Sequence, residues 1–313
     1  MADREMGAAT RDAFGKTLAQ LGDTEPDIVV LDGDLSKSTM TKYFAEKHPD
    51  RFFNAGIAEG NMVGMAAGLA SAGKKPWIAS FATFVMSKGF DQLRVAVAYS
   101  ELRVVVVGSH GGISIGEDGV SQMGHEDVAL ACSLPGFTVV VPADETSTVQ
   151  ATRALAAHDG PAFLRTGRPK VPNVYPDGCD FALGIANTLR DGSDVTLIAN
   201  GLMVSLALDA ADALSADGIS ARVLDMHTAK PLDDEAVAKA ATETGAIVVA
   251  EEHLLRGGLG SAVAMSVAKQ HPVPMRFVGI DDTYAESGIG TDVLKKYGLT
   301  SSDITQTAKE LVG

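Results

Sequence analysis

With 313 residues, the chain has room for two domains of about 150 residues, each able to bury a substantial core. Its 26 Lys plus Arg stand against 40 Asp plus Glu, a net charge of −14. Such a chain has no general cationic surface to displace counterions from nucleic acid or an anionic membrane, so any anionic ligand must be held by a few local groups. Cys132 and Cys179 are the two cysteines and form no CxxC pair, which fits a reducing compartment. The start, MADREMGAATRDAF, has no apolar signal core, and no apolar run approaches a membrane span. The expectation is a soluble, acidic, cytoplasmic protein.

Apolar runs rich in β-branched residues alternate with alanine-rich amphipathic segments. Predicted strands are Ile28–Leu31, Trp77–Phe81, Arg103–Val107, Thr138–Val141, Ala162–Leu164, Val195–Ala199, Ala221–Leu224, Ala246–Ala250 and Arg276–Ile280. Segments such as Arg11–Gly22, Phe84–Tyr99, Glu145–His158 and Asp233–Thr244 read as helices. Strand–helix alternation with near-continuous apolar strands predicts an α/β fold of mainly parallel sheets covered on both faces. Pro169, Pro172 and Pro176 interrupt the pattern, so the chain is divided into a first domain over 1–170, a linker over 171–190 and a second domain over 191–313.

Along the chain, Asp32, Asp34, Ser36 and Ser38 crowd the end of the first predicted strand in LDGDLSKST, where an open sheet has its crevice. A polar loop capping a helix is the simpler reading of these residues. No GxGxxG follows that strand and no GxxxxGK[ST] occurs, so nucleotide binding through those loops is unsupported. Asn54–Gly73, NAGIAEGNMVGMAAGLASAG, then places one carboxylate, Glu59, at a strand-to-helix junction. Gly60, Gly64, Ala67, Gly68 and Ala72 recur every three or four residues, a face suited to close approach by a neighbour. Glu59 is either a first-turn carboxylate facing the helix dipole or one held in a dry crevice to share a proton with a ligand nitrogen.

Phe81, Phe84 and Phe90 cluster after the next strand, as core residues or as a flat slot for an aromatic heterocycle. The glycine-rich loop GSHGGISIGEDGVSQMGHED carries His110, Glu117, Asp118, Gln122 and His125, without spacing that fixes metal ligands on one face. In FLRTGRP, Arg165 and Arg168 at a strand end suggest an anion clamp, with a surface ion pair as the alternative. Gly257, Gly258 and Gly260 mark a loop-to-helix junction whose amides suit an anion or simple packing.

NAGIAEGNM, SFATFVMSKGFDQLR and SIGEDG, in that order, resemble the transketolase family of thiamine diphosphate enzymes. The resemblance runs nearly the whole length, and LDMHTAKPLD and EEHLLRGGLGSAVA fit the family's C-terminal domain. It implies the C-terminal half of a transketolase, or the smaller subunit of a two-gene one, moving a two-carbon ketol unit between a ketose and an aldose. By the resemblance Glu59 hydrogen-bonds the aminopyrimidine of the cofactor and activates it. Phe84 and Phe90 match ring-packing positions, with Ser87 where the family has an intermediate aromatic, and Asp34 and Leu35 lie beside the cofactor. Arg11, Ser38, His110 and Arg168 match the positions that hold a sugar-phosphate terminus, or another tetrahedral anion such as a sulfonate. Asp118 matches the contact to a donor hydroxyl.

Two departures matter. The diphosphate- and Mg²⁺-binding domain with its GDG…N motif is absent from the chain, so the resemblance implies a partner chain that carries it, in a heterotetramer of two of each. Gln122 stands where the family has a substrate histidine, with His125 three residues on. Gln122 favours a non-catalytic regulatory relative, against which Glu59 and the full anion set argue. The β subunit of a 2-oxo acid dehydrogenase first component is the same-cofactor alternative; its His-rich run is GEDGVSQMG here.

Overall fold

The structure, a computed structural model, describes residues 4–176 and 179–313. Residues 177 and 178 of the expected linker lie outside the described residues, as do 1–3. Two sheets organise the chain. The first has seven strands, in the spatial order Thr228–Lys230, Thr138–Val140, Ala162–Arg165, Val105–Ser109, Lys75–Phe81, Ile28–Asp32 and Phe52–Asn54. All its pairings are parallel except that of Thr228–Lys230 with Thr138–Val140. The second sheet has five strands, Met275–Ile280, Ile247–Leu254, Val195–Ala199, Ala221–Asp225 and Asn187–Arg190, parallel but for the last.

Near-continuous apolar strands are buried on both faces because their alternate residues serve different cores. Val30, Trp77, Val105 and Leu164 pack under the helices Thr10–Thr24 and Glu145–Ala157 with Phe14 and Leu155. Their neighbours Leu31, Ile78, Val106 and Phe163 face the opposite layer with Met62, Val63 and Val85. The two domains are therefore sheets flanked by helices, as expected.

The structure departs from the sequence-based elements in several places. The expected single helix Phe84–Tyr99 breaks at Gly89, and its second part, Leu93–Ala98, is wound as a π-helix. A side chain at Gly89 would sit 2.7 Å from the Val85 carbonyl oxygen, so the break needs glycine. Both ends of the expected linker are paired: Lys170–Pro172 with Met6–Ala9, and Asn187–Arg190 with the second sheet. Thr228–Lys230, from the second half of the sequence, forms an edge of the first sheet. Finally, the glycine face of the helix Glu59–Ser71 only partly packs within the chain. Gly60 lies against Gln92, whereas Gly64 and Gly68 have nothing within 4 Å of where a Cβ would stand. That open face continues through exposed Met65 to Ile57.

A buried polar set pins the segment between the domains. Asp144 Oδ2 accepts from the amides of Val174 and Tyr175 at 2.8 and 2.9 Å, and the Tyr175 hydroxyl donates to Asp225 Oδ2 at 2.7 Å. Burial pushes the Asp225 carboxyl up to about 8. A raised native value means that the neutral form belongs to the fold. The stability it brings is complete below the unfolded value of about 3.9 and is lost as pH rises through about 8, by at most about 1.4 kcal/mol per pH unit. Asp225→Asn, neutral throughout, is expected to flatten that decline in urea titrations from pH 5 to 9. Parallel declines in parent and variant would remove Asp225 as its source.

Candidate functional site

Glu59 opens its helix at the crevice end of the first sheet and is 2% exposed. Its Oε1 accepts from the Ser80 hydroxyl at 3.2 Å, while Oε2 lies 3.8 Å from Lys88 Nζ, beyond hydrogen-bond reach. One carboxylate oxygen is thus free to accept from a ligand N–H. The strand Ile28–Asp32 ends at Gly33, where a side chain would meet Ser80 Oγ at 3.2 Å and Glu59 Oε1 at 3.7 Å. The absence of a Cβ there keeps the carboxylate approachable.

Beside it runs a column of rings. Phe81 stacks on Phe84 at 5.5 Å and on His110 at 3.9 Å, and Lys88 Nζ sits 4.4 Å over the Phe84 ring. Phe84 is half-buried. Phe90 instead packs against the core cluster that includes Met62 and Val63. Asp34 adopts a left-handed backbone (φ 66°) and accepts from Asn54 Nδ2 at 2.8 Å. Leu35, half-buried, donates its amide to buried Asp32, which also accepts from Thr39 and Thr41. Asp32 therefore shapes the DGDLSKST loop from beneath rather than facing a ligand.

Three of the residues singled out for an anion meet, and the charge of a fourth, Arg168, reaches two of them. Arg11 Nη1 donates to the Ser38 carbonyl at 3.0 Å and to His110 Nε2 at 3.2 Å. Because Nε2 accepts, the ring proton is assigned to Nδ1, which donates to Ser109 Oγ at 2.8 Å. Burial, then Arg11 and Arg168, hold the His110 imidazole down at about 3, so it is neutral at physiological pH. Arg168 donates to the Ile115 carbonyl and to Glu117 at 2.7 and 2.9 Å, and Asp118 Oδ2 lies 3.9 Å away. Arg11 is itself lowered, by burial first and in part by Arg168, so two like charges share a corner suited to an anion.

The site differs from expectation at Arg165. Arg165 is no clamp: it is buried and donates to Asp127 Oδ2 at 2.9 Å and to the carbonyls of Gly124 and Glu252. Spacing from a strand end did not distinguish it from Arg168, which lies three residues further on. His125 is turned into the domain boundary, 1% exposed, with its ring edge-on to Tyr284 at 5.3 Å. It does not take the place of an imidazole at Gln122, which is half-buried in the loop.

Sequence reasoning missed Glu252. Its buried Oε1 accepts from the amides of Ile113 and Ser114 at 2.6 and 2.5 Å, so the second domain suspends the loop that carries Asp118 and Gln122. A side chain at Gly112 (φ 82°) would collide with that carboxylate. The available signal was the EEH run at the end of a buried strand. Its neighbour Glu251 accepts from the amides of Leu259 and Gly260, so the anion at that helix start is the protein's own. Among the described residues no helix is long and apolar enough to cross a membrane.

The two domains match, in order, the transketolase pyrimidine-binding domain over residues 6–173 and the transketolase C-terminal domain over 184–304. The chain belongs to the transketolase family. It is 42% identical over 302 residues to a 6-deoxy-6-sulfo-D-fructose transketolase subunit of Clostridium sp. (strain MSTE9), covering 96% of this chain and 94% of that one. It is 40% identical to an apulose-4-phosphate transketolase subunit of Phocaeicola vulgatus, covering 97% of each. Among solved structures it superposes on a split-gene transketolase in an inactive β4 tetramer, with a TM-score of 0.89, 43% identity and 98% of both chains covered.

Proposed function

We propose that this chain, with a second polypeptide, transfers a two-carbon ketol unit from a ketose to an aldose, each ending in phosphate or another tetrahedral anion. The observation that carries this is one continuous path: the buried Glu59 carboxylate with its free oxygen, Ser80 and Phe81 on one strand, then His110 and Arg11. Thiamine diphosphate supplies the carbanion chemistry when bound. Glu59 accepts from the aminopyrimidine and holds a shared proton out of water, while Phe84 packs on the ring; Asp34 and Leu35 lie beside it, and Phe90 supports it only from the core behind. Neutral His110 orients Arg11, and Arg11, Ser38 and Arg168 hold the sugar's anionic end. Asp118 and Gln122 address donor hydroxyls, glutamine donating and accepting without titrating.

The diphosphate and Mg²⁺ belong to the partner, a chain with the GDG…N motif, in a heterotetramer of two of each. Relatives termed transketolase subunits, and a β4 tetramer described as inactive, support a partner-dependent enzyme. So does the open face around Gly64 and Gly68, on the helix that Glu59 begins, which offers a close seat for another chain.

The anion reading is tested with Arg168→Ala. A charge-assisted bond of about 1.5–3 kcal/mol corresponds to about 10- to 150-fold in kcat/KM. Release of Glu117 from Arg168 offsets part of this, so the lower end is expected. The loss should fall on a sugar phosphate and spare its unphosphorylated counterpart. Equal losses on both would make Arg168 structural.

A further inference from the structure

Arg11 and Arg168 also line a cavity of about 510 Å³ between the domains, which Glu59 and the phenylalanines do not line. Its far wall belongs to the second domain: Leu202 and Leu206 at the start of the helix Met203–Ala216, and Ile289 and Leu294 around the helix Gly290–Lys296. Ile115 of the first domain joins them beside Arg168. Ser114, Ser205, Asp209, Thr291 and Lys170 also line the cavity, but its apolar part does not suit a sugar. Hydroxyls along a carbon chain find few partners on leucine and isoleucine, and a phosphate needs only the guanidinium end. The volume lies within the range of ordinary ligand pockets, with an apolar wall and a cationic corner of Arg11 and Arg168 faced by Glu117.

We propose that this cavity is a second ligand site, for a carboxylate, sulfonate or phosphate ester with an apolar body, whose head group competes with the sugar's anionic end for Arg11 and Arg168. The inference rests on reading those arginines as the sugar's clamp. Two features prepare the corner for an incoming head group. Arg11 Nε is buried with no partner among the described residues, so one donor is unspent. Glu117, the carboxylate at 2.9 Å from Arg168, is 63% exposed and can swing into solvent as the head group arrives. Occupancy then raises the apparent KM for an anionic sugar and leaves kcat unchanged. The apolar wall provides the selectivity against the sugars themselves.

The probe is anilinonaphthalene sulfonate, titrated by fluorescence into the assembled two-chain enzyme. Saturable binding, displacement by inorganic phosphate and competitive inhibition against a sugar phosphate are expected. Ile289→Glu puts a charge in the apolar wall at a position 63% exposed, where folding is not at stake. It is expected to raise the probe's Kd about tenfold or more while the sugar phosphate's KM stays unchanged. Probe binding that ignores Ile289→Glu, or that ignores phosphate, overturns the second site. If the probe fails either test while Arg168→Ala still selectively weakens phosphorylated substrates, the clamp stands and the second site falls. If Arg168→Ala affects neither probe nor sugar phosphate, the clamp falls as well.

Discussion

Glu59→Gln is expected to lower ketol transfer by about 100- to 10,000-fold, the range that a positioned proton-sharing group contributes. Glutamine fills the same volume at a site that is 2% exposed and still offers an oxygen to Ser80. What it loses is the second acceptor, the oxygen 3.8 Å from Lys88, and with it the capacity to share a proton. Assembly with the partner and the far-ultraviolet circular dichroism should be those of the parent. Proton exchange at the cofactor's reactive carbon, followed by NMR in the assembled enzyme, reads the step without relying on turnover. Unchanged exchange would return Glu59 to the role of a first-turn carboxylate facing a helix dipole.

Asp127→Ala is expected to cost about 3–5 kcal/mol of unfolding free energy, the usual penalty for leaving a buried charge without its partner. Arg165 and Asp127 meet at 2.9 Å with both side chains buried, and Arg165 spends its remaining bonds on the Gly124 and Glu252 carbonyls. The pair therefore ties the glycine-rich loop of the first domain to a strand of the second. Replacing both partners with apolar residues should restore much of the loss, which separates a buried-charge penalty from a simple packing defect. Chemical denaturation of the single and double variants decides it. A single variant within about 0.5 kcal/mol of the parent would show that the pair is solvated in solution.

Much of the architecture was legible because hydrophobic period is a strong signal in buried parallel strands. Val195–Ala199 reads as a strand from sequence with the bounds it has in the structure. The two edges of the seven-stranded sheet were not legible. Thr228–Lys230 and Phe52–Asn54 are three residues each, too short for any period, and owe their places to the strands they flank. The π turn after Gly89 was hidden because its residues also suit an ordinary helix.

The candidate site divides along the same line. The place of Glu59 at a strand-to-helix junction was legible from the small residues that follow it, whereas its proposed role came from the resemblance. The pairing of His110 with both Phe81 and Arg11 was not, since it depends on a left-handed backbone at His110 (φ 59°) that no spacing announces. Arg165 and Arg168 looked alike in sequence and separate only by what surrounds them, a buried aspartate for one and an exposed glutamate for the other. Glu252 escaped because its partners are backbone amides 139 and 138 residues away.

Completion of the cofactor site by another chain is tested by calorimetric titration of thiamine diphosphate with Mg²⁺. The titration is run on this chain alone and on an equimolar mixture with the chain that carries the diphosphate-binding domain. Alone, Glu59 and the Phe81–Phe84 rings would engage only the pyrimidine end, so saturation should not be reached at cofactor concentrations that fill the mixture. The mixture should bind one cofactor per chain pair. Tight, stoichiometric binding to this chain by itself would contradict the account.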